Sequence, residues 1–170
     1  QAGYPRESIG LVMCTHLHVD HVGWNTMLVD GHWIPTFPNA RYLMAEREWS
    51  YWNSHAEEEA YGPVIEDSVR PIIESGLAEF VEEDHELTSE VRLISTPGHT
   101  PGHVSVLIES EGSRALITGD CIHHPVQMTR TDWCSSADFD QAQGRATREN
   151  LLKNYVDSDV LIIGTHFATP

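Results

Sequence analysis

Four short apolar runs in this chain end in the same way. "IGLVM" (9–13) runs into Thr15, His16, His18, Asp20 and His21; "VRLIS" (91–95) leads to His99; "RALIT" (114–118) leads to Asp120; "VLIIG" (160–164) leads to His166. Runs this short, apolar and partly β-branched read as buried strands. Histidine and aspartate fill cores poorly, so their place just beyond each strand calls for another reason. Open α/β sheets hold their ligand sites at the carboxyl ends of strands. The spacing therefore predicts four strand exits at one edge of a sheet, converging on one site.

The rest of the chain alternates strands with helices, which makes the class α/β. "RYLMA" (41–45) reads as a strand leading into a helix through "EREWSYW". Pro63 suits a helix first turn, with Ile65, Val69, Ile72 and Ile73 on one face, Pro71 kinking or splitting it and Gly76 closing it. "LAEFV" and "HVSVLIE" (103–109) read as strands, with a turn at Glu111–Gly112–Ser113 and a helix from about Asp138 to Tyr155. No internal repeat or low-complexity linker breaks the chain, so residues 1–170 are expected to form a single domain.

His16, His18, Asp20, His21, His99, Asp120 and His166 supply five imidazoles and two carboxylates. That donor set suits borderline divalent metals, zinc above all. Seven ligands exceed one tetrahedral ion but suit two ions sharing a carboxylate. In an extended H-x-H segment alternate side chains point the same way, so His16 and His18 can grip one ion while Asp20 and His21 turn toward another. Among the other histidines, His32, His55 and His85 read as surface residues and His103 as a structural or supporting partner. His123 and His124 follow Asp120 closely enough to line a pocket. Trp24, with Trp33 and Phe37, reads either as an apolar pocket wall or as core. Cys14, Cys121 and Cys134 are odd in number and irregularly spaced, which implies no disulfide framework; Cys14 and Cys121 read as packing residues.

"THLHVDH", "TPGHTPGH", "TGD" and "GTH" in this order resemble the metallo-β-lactamase-fold hydrolases. "GDCIHHPVQ", "FD", "TRENLL" and "GTHFATP" are most similar to the lactonase and methyl-parathion-hydrolase-like branch. The resemblance implies an αββα sandwich. It implies a first zinc on His16, His18 and His99, a second on Asp20, His21 and His166, and Asp120 bridging the two; iron or manganese can replace zinc. It further implies a hydrolase in which a metal-bridging hydroxide attacks the substrate, with Asp20 as proton shuttle and Asp120 fixing the metal separation. In relatives of this kind several strands precede the first metal motif, so a motif beginning at residue 16 suggests a partial domain lacking N-terminal strands and its C-terminal end, and an inactive metal-binding fragment is the non-enzyme alternative.

The net charge of −16, from 10 basic and 26 acidic residues, disfavours nucleic acid, polyanionic substrates and anionic membranes as partners. Much of the acid lies in "HAEEEAYG" (55–62) and "FVEEDHELTSE" (80–90), which read as solvated faces. A small, neutral, ester-like substrate fits best: a lactone or carboxylic ester of the acyl-homoserine-lactone type, then a phosphotriester, then a glyoxalase-II-like thioester. A homodimer is compatible with the sequence. The cytoplasm is the expected compartment, although a chain opening at Gln1 leaves export open.

Overall fold

A computed structural model describes residues 3–56 and 61–168. They fall into two units, Gln1–Val81 and Glu82–Pro170.

In the first unit, β1 (Leu11–Met13) leads through the histidine loop into a four-residue helix, α1 (Val19–Val22). The hairpin β2 (Thr26–Val29) and β3 (His32–Pro35) follows. It turns at Asp30 and Gly31, whose φ angles are 50° and 82°. Two successive positive φ values make the turn that matches strand twist, and Asp-Gly tolerates them best. Next come β4 (Arg41–Ala45) and α2 (Glu46–Ser54). α3 (Gly62–Val64), a π-turn at Ile65–Val69 and α4 (Arg70–Glu74) then lead to β5 (Ala78–Val81). β4 pairs in parallel with β1 on one side and β5 on the other. A parallel central strand is covered on both faces, and Tyr42, Leu43, Met44 and Ala45 are all buried accordingly. Cys14, Leu17, Val22, Trp52, Ile65, Val69 and Ile72 join Tyr42 and Met44 in this core.

The helical segment around Pro71 is split as the sequence predicts, and the split is a π-turn. Pro71 brings no N–H to the Asp67 carbonyl four residues earlier. The Thr26 hydroxyl of β2 donates to that carbonyl instead, at 2.7 Å. At the far end Gly76, at φ 72°, closes the helix: its N–H donates to Ile73 O (3.0 Å) and that of Leu77 to Ile72 O (3.1 Å).

The second unit is a sheet in the order β6 (Val91–Ser95), β7 (Val104–Ser110), β8 (Ser113–Ile117), β9 (Val160–Ile163). β6 and β8 both run antiparallel to β7, and β9 runs parallel to β8. β6, β8 and β9 therefore point the same way, and their exits share one edge. The parallel step from β8 to β9 requires a crossover, which α5 (Gln141–Tyr155) supplies. Leu151 of α5 packs with Leu107, Leu116, Cys121 and Ile122. α5 starts later than the sequence suggests. The Asp140 carboxylate accepts the Gln143 N–H at 2.9 Å and sets the cap, whereas Asp138 lies outside the helix with its side chain buried.

The expectation of four exits on one sheet is corrected here. β1 belongs to the three-stranded sheet of the first unit, and the other three exits to the four-stranded sheet of the second. The acidic residues of 80–90 lie mostly on the surface, as expected, while positions 57–60 of "HAEEEAYG" fall outside the described residues. Among the described residues no helix is long and apolar enough to cross a membrane.

Candidate metal centre

In the first unit the histidines leave β1 on a loop held from beneath. Glu48 of α2 is buried, and its Oε1 accepts the Leu17 N–H at 3.0 Å and the Trp52 indole N–H at 2.7 Å. A buried carboxylate oxygen with two donors ties the loop between His16 and His18 to the helix. The His16 ring lies 4.8 Å from the His18 ring and 4.0 Å from the His21 ring, centre to centre. The Trp52 indole packs edge-on against His18 at 5.4 Å. The Thr15 hydroxyl engages His16 Nδ1 at 3.1 Å, which makes Nε2 the nitrogen to offer a metal. α1 turns Asp20 and His21 together, with His21 Nε2 3.5 Å from Asp20 Oδ2. The four residues read from H-x-H-x-D-H thus form one group.

In the second unit three imidazoles converge on one carboxylate oxygen. Asp120 Oδ2 stands 3.3 Å from His99 Nε2, 3.2 Å from His123 Nε2 and 3.2 Å from His166 Nε2. Ligands bound at 2.0–2.1 Å around a tetrahedral zinc are about 3.3 Å from one another. The separations of His99 and of His166 from this carboxylate oxygen are each compatible with sharing an ion with Asp120, so these residues fit the metal that the sequence implies.

Two partners of this group were not legible as such. Asp138 Oδ1 lies 3.0 Å from His99 Nδ1, so the ring donates Nδ1–H and turns its Nε2 lone pair toward Asp120. Burial pushes the Asp138 carboxyl up. The hydrogen bond from His99, the Ser135 N–H and the Arg148 charge outweigh it and hold the group below the usual carboxylate range. Gln127 fixes the segment after Asp120: its Oε1 accepts the N–H groups of His123 (2.7 Å) and His124 (3.2 Å), and its amide donates to Trp133 O (2.7 Å). His123, placed by this clamp, belongs to the group around Asp120. His124 instead caps the turn Pro125–Met128, its Nδ1 accepting the Val126 N–H at 3.1 Å.

The loop carrying His99 is pressed onto α5. Gly98 has φ 131°, and a Cβ built there would stand 2.3 Å from the Gly144 backbone. The Phe139 N–H donates to His99 O, the Asp140 N–H to Gly98 O and the Thr147 hydroxyl to Pro97 O.

The remaining expectations find their places. Trp24 is 80% exposed and, with Tyr4, Ile9, Met27 and Phe37, lines an apolar concavity of about 730 Å³. Phe37 also packs on the core, while Trp33 is exposed on β3, neither in that lining nor in the core. His32 is exposed, His85 half-buried, and His55 half-buried against the Tyr51 ring. Cys14 and Cys121 are buried; burial pushes their thiols up to about 11 and about 12.

Residues 1–163 match the family described as the Metallo-beta-lactamase superfamily. An N-acyl homoserine lactonase of Bacillus sp is 33% identical over 117 residues, which is 69% of this chain and 40% of the lactonase. The solved hydrolase AbOPH of the beta lactamase superfamily superposes with a TM-score of 0.86 at 26% identity, over 99% of this chain and 60% of its own. AidC, a dizinc quorum-quenching lactonase in complex with a product, N-hexanoyl-L-homoserine, shares the fold, with a TM-score of 0.84 at 24% identity over 99% and 61%. The chain thus spans about two-fifths of that curated relative and about three-fifths of those solved chains. With its α/β sheets, its ordered His and Asp motifs and this match over nearly its whole length, the chain belongs to the metallo-β-lactamase superfamily.

Proposed function

We propose that the chain carries the metal-binding residues of a dinuclear-zinc hydrolase acting on a lactone or carboxylic ester of the N-acyl homoserine lactone type. His16, His18 and His99 would hold one ion and Asp20, His21 and His166 the other, with Asp120 serving both, within a single domain. The observation carrying this reading is the approach of His99 Nε2 and His166 Nε2 to 3.3 and 3.2 Å from one Asp120 oxygen. The superfamily match and the lactonase relatives support the substrate class. A bound pair of divalent ions supplies a hydroxide nucleophile at neutral pH and polarises the carbonyl.

The chain's own groups do the rest. Asp120 would set where the ions sit, and thereby where the nucleophile is generated, through its carboxylate. Asp20, on the exposed end of α1, passes a proton to the departing alkoxide. His123 Nε2, at 3.2 Å from Asp120, is placed to hydrogen-bond a substrate oxygen bound beside that carboxylate.

The test is a hydrolysis screen of the full chain loaded with zinc, comparing N-acyl homoserine lactones, carboxylic esters, thioesters and neutral phosphotriesters, alongside metal analysis. The expected result is near two zinc equivalents and a preference for lactones. Preference for phosphotriesters would move the protein to the other branch that its sequence resembles. One equivalent, unchanged by added zinc, would overturn the two-ion assignment.

A further inference from the structure

His103 is fully buried beside the Asp120 group and makes a set of hydrogen bonds with only one consistent direction. Its Nε2 lies 2.9 Å from the Asp120 backbone nitrogen. A backbone N–H can only donate, so Nε2 accepts and, in the neutral ring, the proton is on Nδ1. Nδ1–H must then donate to Thr96 Oγ1, at 2.8 Å. The Thr96 hydroxyl passes its own proton to Ser105 Oγ at 3.0 Å. The Ser105 hydroxyl donates in turn to the Thr118 carbonyl at 3.1 Å. Thr118 N–H closes onto Ile163 O at 2.9 Å. The directions at His103, Thr96 and Ser105 follow one from another, and Thr96, Ser105 and Thr118 are buried along with His103.

The path starts at Asp120, runs from the end of β6 through the start of β7, and returns to the exits of β8 and β9. The three strands that deliver His99, Asp120 and His166 are thereby joined by one buried network. Both ring nitrogens of His103 are committed within it, which accounts for a histidine near the metal residues that is not itself among the ligands.

We propose that His103 is a positioning residue: in its Nδ1–H form it fixes the backbone of Asp120 and thereby the carboxylate shared by the two ions. This rests on the dinuclear reading above. Conserving the donors and acceptors of a ligand's supporting residues typically matters by about 10–100-fold in metal affinity or activity.

The test has a metal-free arm and a metal-loaded arm, both on the full chain. Nitrogen-15 NMR of the imidazoles in the metal-free protein should show His103 as a fixed Nδ1–H tautomer, and Thr96→Val should release that preference. In the loaded arm, His103→Leu should weaken binding of the second zinc equivalent by at least about tenfold and lower kcat more than it raises KM. His103→Gln, whose Oε1 can accept near the position of Nε2, should recover part of both. Should His103→Leu fail to fold, Thr96→Val is scored by the same zinc titration. An Nε2–H tautomer in the wild type overturns the proposal, as do wild-type zinc affinities in His103→Leu or Thr96→Val. A wild type that takes up no zinc pair overturns the functional reading instead. The tautomer then decides the positioning claim, because an Nε2–H ring cannot accept from the Asp120 amide.

Discussion

Asp138 serves His99 with one oxygen and the α5 side with the other: Oδ1 is 3.0 Å from His99 Nδ1, while Oδ2 accepts the Ser135 N–H at 3.1 Å and lies 3.5 Å from the Arg148 guanidinium. Both charged side chains are buried. Replacing Asp138 with alanine leaves Arg148 as a buried charge without its carboxylate, a change that costs about 3–5 kcal/mol. The same substitution releases the His99 tautomer and should lower zinc affinity by about 10–100-fold. Chemical denaturation and zinc titration read the two effects separately.

The acid limb of stability should carry the signature of the same residue. Its folded pKa is depressed, so its contribution is complete above the unfolded value of about 3.9 and is lost as pH falls through the lower folded value. The gap in stability between wild type and Asp138→Asn should therefore narrow below about pH 4. A gap that stays constant down to the acid transition would show that the carboxylate's charge contributes nothing.

Exchanging ligands and bystanders should separate their roles. Asp120→Ala should reduce turnover by at least about 10³-fold while the far-ultraviolet circular dichroism is retained. Asp20→Asn should keep part of the metal and lose turnover on substrates with poor leaving groups first. His85→Ala, remote in sequence from every ligand motif, should leave both unchanged. An effect of His85→Ala as large as either of the others would break this division.

The thiols give a prediction independent of metal. Cys14 and Cys121, buried and raised to about 11 and about 12, should stay unmodified by a thiol reagent at pH 8, while the partly exposed Cys134 reacts. The unfolded thiols ionise near 8.5, so the neutral folded thiols contribute stability below that pH and lose it as pH climbs toward their folded values. Replacing both with alanine should flatten the alkaline limb of the stability curve.

Two glycine substitutions should differ in size. Gly98→Ala meets the Gly144 backbone at 2.3 Å and requires φ 131° of a residue with a side chain. It should cost about 3 kcal/mol or more and loosen His99. Gly112→Ala, at φ 78° with nothing within 4 Å, should cost only about 1 kcal/mol. Thermal melts of the two variants give the comparison.

The strands β1, β4, β6, β8 and β9 were legible because each is a short apolar run, and the ligands because each stands just past one of them. The hairpin of β2 and β3 is not legible although "VDGHW" carries its turn, since the mostly apolar "TMLV" and "HWIP" show no alternation and are largely exposed in the fold. In the sequence the helical stretch reads from about Asp138. The cap is Asp140 two residues on, and only the fold reveals that Asp138 turns toward His99. Glu48 lies in a stretch read only as helix, and Gln127 ends the quoted "GDCIHHPVQ" without a role of its own there; the roles of both depend on which backbone N–H groups come to lie beside them. Assigning β1 to a different sheet from β6, β8 and β9 likewise depended on pairing, which periodicity does not encode.

The Thr26 hydroxyl on the Asp67 carbonyl makes two distant positions into one inherited character. A chain with any residue but proline at 71 would supply its own amide to that carbonyl, and position 26 could then become valine, a better strand former. A chain keeping Pro71 but losing the hydroxyl would lose this hydrogen bond between β2 and the helical segment. Across relatives of this protein the two positions should therefore change together. A mutational scan should find that valine at 26 is harmful beside Pro71 and tolerated once proline is gone.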